Sequence, residues 1–370
     1  MAPNTFWNIN GGERYDLGTF IEWERKWDTQ WTTLLGVRSD IVWMNTGNVQ
    51  GYKPMMYGPD AVAFNARDHE RTDANFDATA LARYEADAWG TIEGGYAMKT
   101  RSPNLYERYA WSTHNMAAEM IGWFGDGNSY IGNLSLKPET AHTFSVTYGL
   151  HDAASVKDPG NRDWELKITP YYSYVADYID VNRCGPGNTH LMKGTRCTAA
   201  NLAATSGYVA LQFANHDAEI YGVDISGRVT LANSEDYGKF ALSGVAGYVH
   251  GRNADTGDSL YHMMPLNAKF ALEHRLGNWS NTAEVQLVDA KTDVEQVRNE
   301  LQTPGYALVN LRTSYQWGQV RFDAGVENLF DQQYYSPLGG AYLGDGAMGK
   351  FDLPVAGMGR TVYAGVTVNF

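Results

Sequence analysis

The sequence predicts an all-β chain, specifically an antiparallel transmembrane β-barrel. Three observations point there. Apolar and polar residues alternate with period two along many segments. The links between those segments alternate between short and long, as in a barrel with tight turns on one side of a membrane and loops on the other. The composition also favours girdles and tight turns, with 13% aromatics and 39 glycines in 370 residues. A mean hydropathy of -0.41 is compatible with this, because barrel strands average a lipid-facing and a lumen-facing set. No run of about 18 apolar residues occurs, so no helical span is expected.

The last strand, Arg360 to Phe370, shows the period most clearly. Val362, Ala364, Val366, Val368 and Phe370 share one face; Tyr363, Gly365, Thr367 and Asn369 share the other. One strand earlier, Val320, Phe322, Ala324 and Val326 alternate with Arg321, Asp323, Gly325 and Glu327. Charges sandwiched between apolar neighbours suit a wet lumen behind a lipid-facing band. The same pattern places thirteen strands, at about 16–28, 30–44, 74–88, 90–101, 140–151, 163–180, 206–231, 237–250, 265–275, 279–291, 304–317, 319–330 and 360–370. The links at Gly318, Leu276-Gly277-Asn278 and Ser234-Glu235-Asp236 are tight, and that at 152–162 less so. Those at 45–73, 102–139, 181–205, 251–264, 292–303 and 331–359 are mostly far longer.

An odd strand count cannot close as an antiparallel barrel, and the first strand would leave an unpaired edge in the membrane. The start, MAPNTFWNINGGERYD, lacks the basic and apolar regions of an export signal. The expectation is a piece of a longer protein with further strands before it. The net charge of -13 argues against a nucleic-acid partner and reads as solvated acidic loops. Cys184 and Cys197 flank a polar, glycine-rich stretch, which suggests a bridge formed in an oxidising compartment. A metal thiolate pair is the alternative, without further Cys or a C-x-x-C spacing to support it.

Six motifs then carry a family resemblance. Leu34 to Asp40 (LLGVRSD), Arg101 to Glu107 (RSPNLYE), Gly132 to Glu139 (GNLSLKPE) and Asn215 to Asp224 (NHDAEIYGVD) fall in order along the chain. They are followed by Val326 to Asp331 (VENLFD) with Tyr334, and by Gly359-Arg360. Together they resemble TonB-dependent outer-membrane receptors. Asp224 stands where that pattern has Glu. The resemblance covers essentially the whole chain but only the C-terminal part of the family. It implies a barrel of about 22 strands filled by an N-terminal plug. Residues 1–370 would form a partial barrel domain supplying about the last thirteen strands, with the plug absent.

The resemblance implies active uptake across the outer membrane of a Gram-negative bacterium. Its implied partners are TonB, reached through the missing plug, outer-membrane lipid, and the assembly machinery that reads a terminal aromatic, here Phe370. The cargo would be a metal or metal chelate. The stretch from Ser102 to Thr140 looks most like the copper-receptor branch; a siderophore receptor, a passive porin-like channel and a non-functional truncated fragment are the alternatives. Thioether and imidazole donors suit copper. His114, Met116 and Met120 sit in one loop; His262, Met263 and Met264 sit in another. His190 with Met192, and Met55 with Met56, sit in two more. His114 and Met116 stand first, since i, i+2 spacing in extended chain points both side chains one way. Methionine also fills gaps without binding anything, and 12 in this chain is no large excess. No resident cofactor is expected, and no G-x-S-x-G, H-E-x-x-H, P-loop or dinucleotide fingerprint appears, so no enzyme is expected.

Overall fold

A computed structural model describes residues 6–51, 54–86, 89–114, 124–152, 162–186, 197–341 and 353–369, with backbone alone for 54–57. The chain runs β1 (Glu13–Lys26), β2 (Trp31–Asn45), α1 (Pro54–Asn65), β3 (Arg71–Ala86), β4 (Gly90–Arg101), α2 (Leu105–Tyr109) and β5 (Ser129–Ile131). It continues through β6 (Glu139–His151), β7 (Trp164–Arg183), α3 (Ala199–Ala203), β8 (Ala210–Ser234), β9 (Gly238–Asn253) and β10 (Asn267–Leu276). It ends with β11 (Trp279–Val288), β12 (Tyr306–Trp317), β13 (Val320–Glu327) and β14 (Thr361–Val368). Every long strand pairs antiparallel with its neighbour in sequence order, from β1 across to β14. Short β5 lies off this path and pairs parallel with the start of β8.

The strands expected from period two are thus all present among the described residues, with ends shifted by a few positions. The terminal strand begins at Thr361 and ends at Val368 rather than spanning Arg360 to Phe370. Short β5 and the three helices among the described residues were not anticipated; each lies within a long loop.

The register sorts the side chains onto two faces. Phe270 on β10 stands opposite Val285 on β11, and Val285 opposite Val309 on β12. On β13 and β14, Val320, Phe322, Ala324 and Val326 face Val368, Val366, Ala364 and Val362 in turn. Most of these side chains are exposed, as with Phe270 at 45% and Val366 at 63%, while Val309, Val320 and Val326 are half-buried. So broad an exposed apolar face is not sustainable in water and fits acyl chains. At its short-turn end stand Trp27, Trp31, Trp89, Trp164, Tyr237, Trp279 and Trp317, all exposed. That is the aromatic girdle of a membrane–water interface.

The opposite face is charged. Arg38 pairs with Asp40 at 2.5 Å, Arg83 with Glu93 at 2.6 Å, Arg228 with Glu273 at 3.1 Å, and Arg312 with Glu284 at 3.1 Å. Arg321 pairs with Asp323 at 3.0 Å, so the charges of β13 do point inward. A cavity of about 740 Å³ opens against this face, lined by Arg83, Glu93, Lys167, Arg228, Lys269 and Glu284.

The buried apolar cores sit towards the long-loop end. Val42, Met44, Val49, Phe64, Tyr109, Trp111 and Leu134 form one cluster. Tyr130, Leu136, Ile179, Val181, Val209, Leu211 and Phe213 form a second. The loops therefore pack as a structured layer on one end of the sheet.

Candidate functional site

The long-loop end is where side chains of several elements converge. Its frame is built largely from the sequence motifs. Asn104 caps α2 by accepting from the backbone N–H of Tyr106 and Glu107, and Glu107 returns the bond to the Asn104 N–H. Glu107 also meets Arg101 at 3.0 Å, and Arg101 meets Glu139 at 2.7 Å. Two motifs far apart in sequence are thus tied by one guanidinium. Asn215 ties a third, accepting from the Lys137 N–H at 2.9 Å while its amide donates to the Lys137 carbonyl. The side-chain oxygen of Asn328 accepts from the Gln332 N–H, and its amide donates to the Gln332 and Met358 carbonyls. Asp331 then accepts from the Arg360 N–H at 2.8 Å, at the start of β14. These motif residues cap, turn and join strands.

A buried ionic knot closes the centre. Arg298, in the β11–β12 loop, is 4% exposed and pairs with Glu295 and, at 2.8 Å, with Asp180 near the end of β7. Its guanidinium stacks on Phe124, Tyr130 and Tyr261, at 5.3, 6.0 and 5.0 Å from the ring centroids. Tyr130 donates to Asp126 at 2.5 Å, and Asn128 donates to the Arg298 carbonyl. Burial, reinforced by nearby Asp180, pushes the Glu295 carboxyl well above its ordinary range despite Arg298. Beside it Lys291 pairs with Glu300 and donates to the Pro337 carbonyl.

The predicted metal donors are placed as follows. His114 lies after Thr113, whose N–H and hydroxyl both donate to Asp60 of α1. Burial raises the Asp60 carboxyl, opposed by those bonds and by His114. His262 has a backbone φ of 58°, which lays its ring on Tyr261 at 3.8 Å between centroids. Burial, with Lys291 and Arg298 nearby, lowers its pKa to about 4, so it is neutral at ordinary pH. Met263 and Met264 line a separate cavity of about 150 Å³, which His250 and Asp293 also line. Met116, Met120, His190, Met192 and Phe370 lie outside the described residues. Met55 and Met56 fall on α1, in its backbone-only part. Among the described residues, no group of three or more His, Cys, Asp and Glu is arranged to hold a metal.

Sequence reasoning missed the approach of His250 to Asp293. His250 sits inside a strand pattern and Asp293 in the next loop but one, so no local spacing links them.

The structure joins Cys184 to Cys197, with Cα atoms 4.7 Å apart. Cys184 is fully buried beside Ile131 and Ala210. Mass spectrometry after alkylation should show both thiols blocked until reductant is added. Reduction should loosen the enclosed loop by about 3 kcal/mol in the chain-entropy picture. Alkylation without reductant would contradict the bridge.

Comparison with known proteins now adds lineage. A family model described as TonB dependent receptor-like, beta-barrel, matches residues 1–329. The heme/hemopexin utilization protein C of Haemophilus influenzae strain 86-028NP is 23% identical over 264 residues, 70% of this chain and 34% of its own length. The copper transporter OprC superposes with a TM-score of 0.70 at 19% identity, over 96% of this chain and 47% of its own. The FrpB iron transporter from Neisseria meningitidis (F3-3 variant) does so with a TM-score of 0.61 at 12% identity, over 97% and 46%. The chain spans about a third of that curated relative and about half of those solved chains. At these identities the superpositions speak for the fold alone.

Proposed function

The chain belongs to the TonB-dependent receptor β-barrel family, and from that premise we propose that the protein carrying it is an energised outer-membrane receptor for a metal or metal chelate, with copper the first candidate cargo. One observation supports the receptor reading above others: the sheet has a lipid-fitting face, a charged inner face, and structured loops gathered at one end. The apolar face sits in the bilayer, and the ion-paired face lines the lumen that a plug would fill. The packed loops offer a preformed surface to a scarce ligand outside the cell. TonB, acting through the plug, supplies the energy.

Copper is favoured by imidazole and thioether donors at that loop end, His114, His262, Met263 and Met264 among them. The superposition with a copper transporter is in keeping with it. A second reading, heme or an iron chelate, is favoured by the heme/hemopexin relative and the iron transporter.

The test is cargo uptake by cells making the whole receptor, with and without TonB. Copper accumulation should fall several-fold when TonB is deleted, and also in the His114→Ala/Met116→Ala double variant at equal outer-membrane levels. Unchanged copper uptake in the double variant removes those residues from the site. TonB-dependent uptake of heme but not copper moves the assignment to the second reading. TonB-independent uptake would instead indicate a passive channel.

A further inference from the structure

The lipid-facing side of β10–β14 carries a groove of about 470 Å³. One wall is the row His274, Asn281, Thr313 and Ala324, which the register sets side by side. The other is Leu272, Ala283, Leu311, Val326 and Val362. The floor between them is backbone. Thr282, Arg312, Gly325 and Tyr363 stand in register there, with their side chains turned to the lumen. Arg312 pairs with Glu284 on that side, and a Cβ on Gly325 would come within 2.5 Å of the Tyr363 ring. The slot crosses five strands, about 19 Å at the usual strand spacing. The hydrocarbon of one leaflet spans about 15 Å.

On the short-turn side of the slot runs an aromatic ledge of Trp279, Tyr315 and Phe322, neighbours in register. The Trp279 and Tyr315 rings meet with centroids 4.8 Å apart. Such rings sit at headgroup level. The slot therefore begins one step inside the interface, where the glycerol esters of a leaflet lie. Its end on β10–β12 is a hydrogen-bonded chain. Thr313 donates to the Asn281 side-chain oxygen at 2.6 Å. The Asn281 amide donates to His274 Nδ1 at 3.3 Å, and His274 Nε2 donates to the Tyr237 carbonyl at 2.9 Å. Polar side chains on a lipid face are costly, which makes them candidates for function. Asn281 has a second amide hydrogen, and nothing among the described residues accepts it. An amide N–H left over at this depth suits an ester carbonyl.

We propose that this groove binds one phospholipid of the periplasmic leaflet, with an acyl chain along the slot and an ester carbonyl accepting from Asn281. The small side chains of Ala283 and Ala324 leave the room. One row further from the short turns, Phe270, Val285 and Val309 fill the corresponding space. The occupant follows from where the slot lies. It is continuous with the lipid-facing band, it starts at the girdle of the short-turn end, and its one open donor stands at that end. The site rests on the membrane-barrel reading for its setting and is independent of the cargo.

The test uses the whole receptor in vesicles of phosphatidylethanolamine and phosphatidylglycerol. A trace of the phosphatidylethanolamine carries a diazirine on one acyl chain. After illumination, adducts are mapped by peptide mass spectrometry, and folding of each variant is checked by its heat-shifted electrophoretic mobility. Adducts should be several-fold more frequent at 281–283, 311–313 and 324–326 than at 144–148 of β6, where Phe144, Val146 and Tyr148 are also exposed to lipid. Ala324→Trp should abolish the excess by filling the slot. Ala80→Trp, which faces lipid beside Leu35, should leave it unchanged. Asn281→Leu, a change that lipid tolerates, should reduce the excess several-fold with the β6 adducts unaltered. An even spread of adducts over both regions, or an excess unchanged in Ala324→Trp or in Asn281→Leu, would overturn the site. An apolar face without adducts anywhere would instead overturn the membrane reading on which it rests.

Discussion

Replacing Arg298 with Met should unfasten the extracellular loops while leaving the strands assembled. The guanidinium joins Asp180 of β7 to Glu295 of the β11–β12 loop, and stacks on rings from two further loops. Removing it leaves two buried carboxylates without their cation, a change that costs about 3–5 kcal/mol. Hydrogen exchange at 124–131, 260–263 and 292–300 should quicken by about a hundredfold or more, if those segments open as one unit. Exchange within β10–β13 should stay slow. The penalty should depend on pH with a definite sign. Burial holds the folded-state Glu295 carboxyl above its ordinary range. The loss is therefore full at high pH and shrinks as the pH falls through the folded-state value of Glu295. A loop exchange pattern identical to the parent would show that the knot does not hold the layer together.

The second large effect lies on the membrane face. Val285→Arg should cost about 2–4 kcal/mol, because Val285 is near mid-span and points to lipid. Its cross-strand partners are Phe270 and Val309. Gln286→Arg, one position on, faces the lumen opposite Lys269 and should cost far less. Urea titration of the folded fraction in lipid vesicles measures both. Equal costs at the two positions would mean that the register does not separate lipid from water.

The strands were legible in the sequence because period two is a local signal, repeated on every hairpin. It even fixed which residues of β13 and β14 share a face. What escaped had non-local causes. Asp177 adopts a φ of 53° at an irregularity between β7 and β8, where pairing slips between Val175 and Tyr178. Nothing in the local pattern marks it. Short β5 exists because the β4–β6 loop folds back onto the start of β8. The motifs could be seen as patterns, but the reciprocal cap that Asn104 and Glu107 make on α2 is seen only in the structure. That Arg101 also binds Glu139, or that Asp331 also holds the Arg360 N–H, follows only from tertiary contact. Candidate metal donors were legible as residue types within single loops. The pairing of His250 with Asp293 was not, because it joins side chains from separate hairpins.

The account rests on one sheet having a lipid face and a water face. A nitroxide scan along β11, from Ser280 to Val288, measures this directly in lipid vesicles. Oxygen accessibility should peak at Asn281, Ala283, Val285 and Leu287. Accessibility to a polar nickel chelate should peak at the residues between them. Two curves that rise and fall in phase, with both faces equally open to the polar reagent, would contradict a membrane-spanning receptor barrel.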